Sequence, residues 1–572
     1  MATSILNQGK LSQAIDEKIQ EIQTAYLESN KPWVIGYSGG KDSTVITQLI
    51  WMAVDQLPRP EEFLIPNFKK LKEMEIEEIS LISKRLGFIL SDTENKKLMI
   101  ESFQKNTKEI VKSNESTNKF SRTQSSDGDI FKENRNDIYV ITTDTLVENP
   151  IVSSWVENSL ESMKEAAHEN NLPIKPNLIK PALKDRFWIN LIGRGYPSPR
   201  RGFRWCTDRL KIRPTNQFIK ENVDEHGGVI LVLGVRSAES ATRAKSVKKF
   251  AEEGGLFSKH QSLDGCMVYS PISDWSNDDV WLYLMKYKNP WNYDNEDLLN
   301  LYQGATEDNE CPVVVDTSTQ SCGSSRFGCW VCTLVTQDKS MNAMIMNDQE
   351  KEWMIPLLKF REEIDFHQTD GIEKDRANRE FTRMKGQVSY YENKDKEIDT
   401  VPGPYKKTKR IDLLEKLLIA ETHIESQFKA DGTGRAVTLL TIEDLEEIRR
   451  IWIEEKNELE DVIPAMYEKI KGKPYHGKAY KHAPILNSSN LRLLESLCSE
   501  EKEYELTRNL LVKEMKLKSK GIRRGFINEL EKELNKFIYF DKAEALEAGE
   551  QRQDIIKMID INPLDEYEGM KY

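Results

Sequence analysis

Seven consecutive residues, Ser38-Gly39-Gly40-Lys41-Asp42-Ser43-Thr44, combine two glycines, a lysine, a carboxylate and three hydroxyls. Adjacent glycines let the backbone approach a phosphate closely, Lys41 supplies a cation, and Ser38, Ser43 and Thr44 supply hydroxyls at a helix start. The run differs from a Walker A loop, whose glycines stand apart in G-x-x-x-x-G-K-S/T. A plain glycine turn is the bland alternative; the strand before it and the helix after it favour an anion site. Because Lys41 and Asp42 read as loop residues, their substitution is expected to spare the fold.

A second group is made of thiols. The chain has 7 cysteines, and Cys311, Cys322, Cys329 and Cys332 fall within 22 residues as C-x10-C-x6-C-x2-C. An odd count in a long chain with no signal-peptide pattern at its start argues against a disulfide framework. Soft thiolates in this number suit Fe–S or Zn2+, and the spacing alone leaves either, or no metal, open. Cys206, in RWCTDR, fits a persulfide carrier acidified by nearby arginines, a cluster ligand, or a buried structural thiol. Cys266 and Cys498 have no such context.

Charge supplies the third signal. The chain carries 82 basic and 94 acidic residues, a net charge of -12. Residues 180–214 run the other way, with ten basic residues against Asp185 and Asp208. Among them Arg194, Arg200, Arg201 and Arg204 lie closest to Tyr196, Phe203 and Trp205, with Phe187 and Trp188 upstream. Arginine interleaved with aromatics suits phosphates and stacked bases, so this stretch is expected to bind nucleic acid, ATP phosphates or both; a solvated face is the alternative. Further basic runs occur at Lys471–Lys481, around His476, and from Lys513 through Lys516 to Arg524. The first looks like a second basic patch; the second reads equally as a DNA- or partner-facing helix end or a merely solvated helix face.

These groups need elements to position them. Residues 11–27 read as an amphipathic helix, 33–37 (WVIGY) as a buried strand and 45–54 as a helix. Residues 138–142 (IYVIT) form the next strand, with Asp144 at its carboxyl end, where a carboxylate could bind Mg2+, a ribose hydroxyl, or only a turn. Residues 174–179 and 229–235 are further strands. Arg236 directly follows the last, placed either to stabilise a leaving pyrophosphate or to pair at the surface with Glu239. Residues 59–137 exceed any βαβ connection and read as an insertion, charged and helical first, then a polar, mobile loop near 113–129. From about 351 onward, charged helices dominate; Thr441 and Asp444 have capping-box spacing. The expected class is therefore α/β: an open, mostly parallel sheet with flanking helices over residues 1–350, followed by a helical domain over 351–572. No apolar run spans a membrane, and a cytoplasmic protein is expected.

SGGKDST resembles the pyrophosphate loop of ATP pyrophosphatases, the PP-loop or adenine nucleotide α-hydrolase-like superfamily that includes tRNA thiolation enzymes and relatives of phosphosulfate reductases. VITTDTLVENP, GFRWCTDRLKIRP, LGVRSAESATRAK and CWVC, in that order, are similar to the DndC family, sulfurtransferases of DNA backbone phosphorothioation. The resemblance covers roughly residues 11–347 apart from the insertion. It implies ATP and Mg2+ on Ser38–Thr44, Asp144 and Arg236, with Lys41, Asp42, Asp144, Arg236 and Cys206 as catalytic candidates. It also implies a 4Fe–4S cluster on Cys311, Cys322, Cys329 and Cys332. As partners it implies DNA, a cysteine desulfurase that donates sulfur, and ATPase-like and small DNA-binding subunits, with no membrane. The alternatives are tRNA thiolation, a phosphosulfate reductase-like oxidoreductase, and a non-catalytic nucleic-acid-binding subunit. An intact loop, and a tail whose only cysteine is Cys498, speak against the reductase.

Overall fold

A computed structural model of the chain describes residues 11–58, 62–85, 90, 95–117, 120–126, 128–133, 135–200, 202–237, 256–260, 262–305, 327–365, 371–393, 396–431, 436–478, 488–519 and 525–559. Cys311, Cys322, Arg201, Glu239 and Arg243 lie outside them, as do Lys520, Arg523, Arg524 and His482.

The main sheet is α/β and mostly parallel. Its strands are β1 (Trp33–Gly36), β5 (Ile138–Thr143), β6 (Ile174–Ile179), β7 (Val229–Val232), β8 (Ser258–Lys259) and β9 (Cys266–Tyr269). The order across the sheet is β6-β5-β1-β7-β9-β8, with only β8 antiparallel to its neighbour. Side-chain alternation explains the layering. Trp33, Ile35, Ile138, Val140, Ile230 and Val232 enter one core, while Val34, Ile141, Val229 and Leu231 enter another on the opposite face. The first core is closed by helices α1 (Leu11–Glu28), α2 (Lys41–Asp55) and α6 (Pro150–Glu169), through residues such as Ile15, Leu49 and Leu160. The second is closed by Ile219 of α7 (Arg213–His226).

Strand β1 sits mid-sheet. The chain moves from it to β5 and β6 on one side, then returns through α7 to β7 on the other. That reversal makes a crevice beside the carboxyl end of β1, the usual ligand position of open α/β sheets.

The insertion differs from the expected loop. After helices α3 (Phe68–Glu73), α4 (Ile76–Arg85) and α5 (Lys96–Thr117), it forms β3 (Phe120–Ser125) and β4 (Gly128–Glu133). With β2 (Glu62–Pro66) these make a three-stranded antiparallel sheet in the order β2-β4-β3. An antiparallel sheet can leave one face in water, so strands this polar escape a search for apolar runs.

Another hydrophobic core joins distant parts of the chain. Phe187, Trp188, Leu191 and Trp205 pack with Trp330 and Met344, and with Leu413, Leu417, Ile448 and Trp452 from the helices after residue 400. The helix Ile442–Arg450 starts at the expected capping box: Thr441 Oγ1 accepts from the Asp444 amide at 3.1 Å, and Asp444 Oδ2 accepts from the Thr441 amide at 3.0 Å. The C-terminal part is not wholly helical, because Tyr390–Glu392 and Ile398–Thr400 pair as a small hairpin. Among the described residues no helix is long and apolar enough to cross a membrane.

Candidate functional site

Gly39 stands at φ +71, and a Cβ there would come within 2.4 Å of Val156 Cγ2 on α6. Only glycine fits this position, and Trp155 Nε1 donates to the Gly39 carbonyl at 3.2 Å to hold it. The loop hydroxyls bind the loop itself. Ser43 Oγ donates to the Gly40 carbonyl at 2.9 Å and accepts from the Ser38 amide at 3.2 Å, and Thr44 Oγ1 donates to Gly40 at 3.0 Å. Gly40 caps α2, which leaves that helix's first-turn amides at the crevice.

Lys41 and Asp42 belong to the first turn of α2, not to a loose loop, and Lys41 is buried. Its amide faces the Tyr302 hydroxyl at 3.4 Å, and its Nζ lies 5.4 Å from that ring and 3.5 Å from Asp42 Oδ2. Asp42 Oδ1 accepts from Arg236 Nε at 2.6 Å. Arg236 is only 3% exposed, so a surface arginine is excluded. Gly234 allows the approach: a Cβ there would lie 3.2 Å from the Asp42 carbonyl. Lys41, Asp42 and Arg236 thus form one buried chain of charge where β1 and β7 end.

Asp144 ends β5, beside β1. Thr142 Oγ1 donates to the Tyr37 carbonyl at 2.7 Å and ties the two strand ends together. Asp144 Oδ1 accepts from the Leu146 amide at 2.8 Å, closing a turn that holds Leu146 at φ +62, and Oδ2 faces Lys180 Nζ at 3.8 Å.

The same turn receives the CWVC segment. Glu148 bridges to Cys329, Trp330 donates to the Val147 carbonyl at 3.1 Å, and Thr145 Oγ1 lies 3.4 Å from Cys329 Sγ. Cys329 and Cys332 share a tight turn, whose last carbonyl accepts from Arg361 Nε at 3.0 Å. Cys206, at the start of a π-helical stretch Thr207–Ile212, lies within electrostatic reach of both. Burial pushes the Cys206 thiol up, against hydrogen bonds with Thr207 that lower it, a direction opposite to acidification by nearby arginines. Burial likewise pushes Cys329 up to about 11. Lys211 is held above its ordinary value against burial by Cys329 and Glu148. Among the described residues no three His, Cys, Asp or Glu side chains stand as a metal-binding group. Cys329 and Cys332 on one turn, with Cys206 within electrostatic reach, are soft donors whose chemistry suits a thiophilic group.

Much of the arginine-rich segment is structural. Arg186 binds Asp444 at 3.0 Å, Arg209 and Arg213 bind Asp185 at 2.9 and 3.2 Å, and Arg194 donates to the Lys184 carbonyl at 3.0 Å. Phe187, Trp188 and Trp205 are core residues, which corrects their reading as stacking platforms; Phe203 remains 39% exposed. Arg204 is exposed and Arg200 half-buried. Lys471 is buried against Glu421 and Glu425, and Lys513 pairs with Glu529 and Glu533. Sequence reasoning missed Trp155, Tyr302 and Arg361, each an isolated residue far from the motif it supports.

Residues 167–335 match the family model of the phosphoadenosine phosphosulfate reductase domain. The match takes in the arginine-rich segment, Arg236 and the Cys329–Cys332 turn but not residues 38–44, and it spans under a third of the chain. It supports the PP-loop/phosphosulfate reductase-like superfamily and an enzyme that uses a nucleotide in sulfur chemistry. An uncharacterized protein of Methanocaldococcus jannaschii is 32% identical over 108 residues, 19% of this chain. The chain spans about a fifth (20%) of the length of that curated relative.

Proposed function

We propose that this protein is an ATP pyrophosphatase and sulfurtransferase of DNA backbone phosphorothioation. A non-bridging phosphate oxygen attacks the α-phosphorus of ATP, and pyrophosphate leaves. Sulfur then attacks the adenylylated phosphorus, and AMP departs with the original oxygen. With a persulfide donor, a thiol cleaves the resulting sulfur–sulfur bond and leaves as a disulfide. Adenylylation is needed because a bare phosphate oxygen is a poor leaving group.

The observation that carries this reading is the buried chain Lys41–Asp42–Arg236 at the amino end of α2, at the sheet's reversal point. Two guanidinium- and ammonium-borne charges beside first-turn amides suit the charge that grows on a departing pyrophosphate. Mg2+ would arrive with ATP, with Asp144 as its carboxylate. Cys329 and Cys332, with Cys311, Cys322 or Cys206, would hold a 4Fe–4S cluster, which supplies a thiophilic centre when bound. A cysteine desulfurase would supply sulfur, and ATPase-like and small DNA-binding subunits would present the strand.

ATP–pyrophosphate exchange tests the first half of the reaction. Mass spectrometry of cellular DNA for phosphorothioate-linked dinucleotides, with and without this protein, tests the whole. Exchange with modified tRNA but unmodified DNA would move the substrate to tRNA. The match to the phosphosulfate reductase domain favours a second reading, a sulfonucleotide reductase. Release of sulfite from phosphoadenosine phosphosulfate, without ATP cleavage, would establish that reading instead.

A further inference from the structure

A cleft of about 820 Å³ opens between the arginine-rich segment and the chain that precedes and follows the small C-terminal hairpin. Arg200 and Phe203 stand on one wall, and Arg379, Arg383 and Met384 on the other. Arg209 and Arg213 reach the lining too, against a single carboxylate there, Asp208, which binds Arg213 at 2.7 Å.

The guanidinium groups are of two kinds. Arg209 and Arg213 are committed to Asp185, and the buried Arg379 donates to the Gly403 and Pro402 carbonyls at 2.7 and 2.6 Å and faces Asp375 at 3.3 Å. Arg200 and Arg383 have no carboxylate partner among the described residues, where the Arg383 guanidinium donates only to the Pro402 carbonyl, at 3.3 Å. Burial holds Arg379 below its usual value, and the like charge of Arg200 pushes the same way. The cleft therefore keeps an excess of positive charge, carried by Arg200 and Arg383 once Asp208, Asp185 and Asp375 are set against the other arginines.

Its aromatic content is also specific. Phe187, Trp188 and Trp205 are buried, whereas Phe203 is 39% exposed on a turn that passes through Gly202 at φ +83. Reciprocal backbone bonds between Arg200 and Phe203, 3.3 and 2.9 Å, fix that turn. A flat ring is thus presented beside two unbalanced guanidinium groups. The volume falls within the range of about 300–1,000 Å³ usual for small-ligand sites, room for one nucleotide with its phosphate. Trp205, on the lining, immediately precedes Cys206.

We propose that this cleft holds one unpaired nucleotide of a nucleic-acid strand, its phosphodiester on Arg200 and Arg383 and its base against Phe203. The proposal rests on the nucleic-acid reading above. It adds to that reading a wall made by residues beyond the family match, which ends at 335.

Fluorescein-labelled single-stranded DNA, single-stranded RNA of the same sequence and a blunt DNA duplex are titrated with the full chain across a salt series. The double variant Arg200→Ala/Arg383→Ala should flatten log K against log salt by about 0.7, the loss of one phosphate contact on a single strand. Arg383 is exposed, so Arg383→Ala alone preserves the test should the double variant misfold, with about half that change. Phe203→Ala should weaken single-strand binding about tenfold without altering the slope, and Phe203→Tyr should restore it. Preference for either single strand over the duplex supports the proposal. An unchanged slope and affinity in the arginine variants, or preference for the duplex, overturns it. Pyrophosphate exchange by the unaltered protein reports separately on the enzymatic reading: without exchange but with the variant effects intact, the cleft stands and that reading falls.

Discussion

Replacing Asp42 with alanine removes the counter-ion of Arg236 and a neighbour of Lys41 in one step. Arg236 is 3% exposed, and among the described residues its side chain has, beyond Asp42, only the Trp275 carbonyl, at 3.4 Å. Orphaning a buried charge costs about 3–5 kcal/mol. The Asp42 side chain is 21% exposed, so water screens part of the pair. The expected loss is therefore about 2–3 kcal/mol. Arg236→Met leaves behind a carboxylate that still has Lys41 and water, and should cost about 1–2 kcal/mol. If the pair is coupled, Asp42→Ala/Arg236→Met should cost little more than Arg236→Met alone, a coupling of about 2 kcal/mol. Urea unfolding gives these differences, provided the m-value is constant across the set. Pyrophosphate release, measured on folded samples of each, should vanish in all three. A loss below about 0.5 kcal/mol in Asp42→Ala, or strictly additive costs, would refute the argument that Asp42 holds Arg236 in place. Full pyrophosphate release by Asp42→Ala would remove the loop from the chemistry altogether.

Gly39→Ala should displace the loop, because φ +71 and a contact of 2.4 Å with Val156 both oppose a side chain; pyrophosphate exchange should be lost at a stability cost of about 1–3 kcal/mol. Anaerobically purified protein should be brown, with about four irons per chain, and Cys329→Ser or Cys332→Ser should bleach it; stoichiometric zinc without iron would reassign the site. Burial, with the charge of Arg410 beside it, brings Lys456 down from 10.5 to about 8. Between those values the unfolded chain binds the extra proton, so this lysine makes stability rise as pH climbs from about 8 towards 10. Lys456→Met should abolish that part of the slope and stabilise the protein at neutral pH by about 1–2 kcal/mol after allowance for solvent screening; equal pH slopes in the two proteins would count against it.

Strands β1, β5 and β7 were legible because a parallel strand covered on both faces must be apolar almost throughout, as in Trp33–Gly36 and Val229–Val232. The glycine loop was legible because its residue types follow directly from one such strand. The insertion's sheet was not, since FSRTQS and GDIFKE lack the apolar run that marks a buried strand. The aromatics of the arginine-rich segment misled for a different reason. Phe187, Trp188 and Trp205 are covered by Leu413, Ile448 and Trp452, more than 200 residues away, and no local pattern announces such a cover. Arg186 shows the same effect in charge, with its carboxylate partner Asp444 258 positions along the chain. Local excess charge was thus a poor guide to which arginines remain available for an anion.

Tyr405 shows how the C-terminal part bears on that availability. Its amide donates to the Gly195 carbonyl at 2.6 Å, and a Cβ on Gly195, at φ +80, would come within 2.9 Å of the Tyr405 carbonyl. Its hydroxyl lies 3.2 Å from Ser198 Oγ and donates to Asp375 Oδ1 at 2.9 Å, while its backbone bridges to Arg379. One buried side chain therefore fastens both walls of the arginine cleft, the 195–203 turn and the 375–383 segment. Arg410 adds a second tie, donating to the Tyr405 carbonyl at 3.3 Å while its guanidinium is neutralised by Glu458. The helices after residue 400 hold the arginines in place through these contacts. The glycine loop is set by β1, α2 and Trp155 of α6, but the cleft depends on the C-terminal helices to keep Arg200 and Arg383 on one lining.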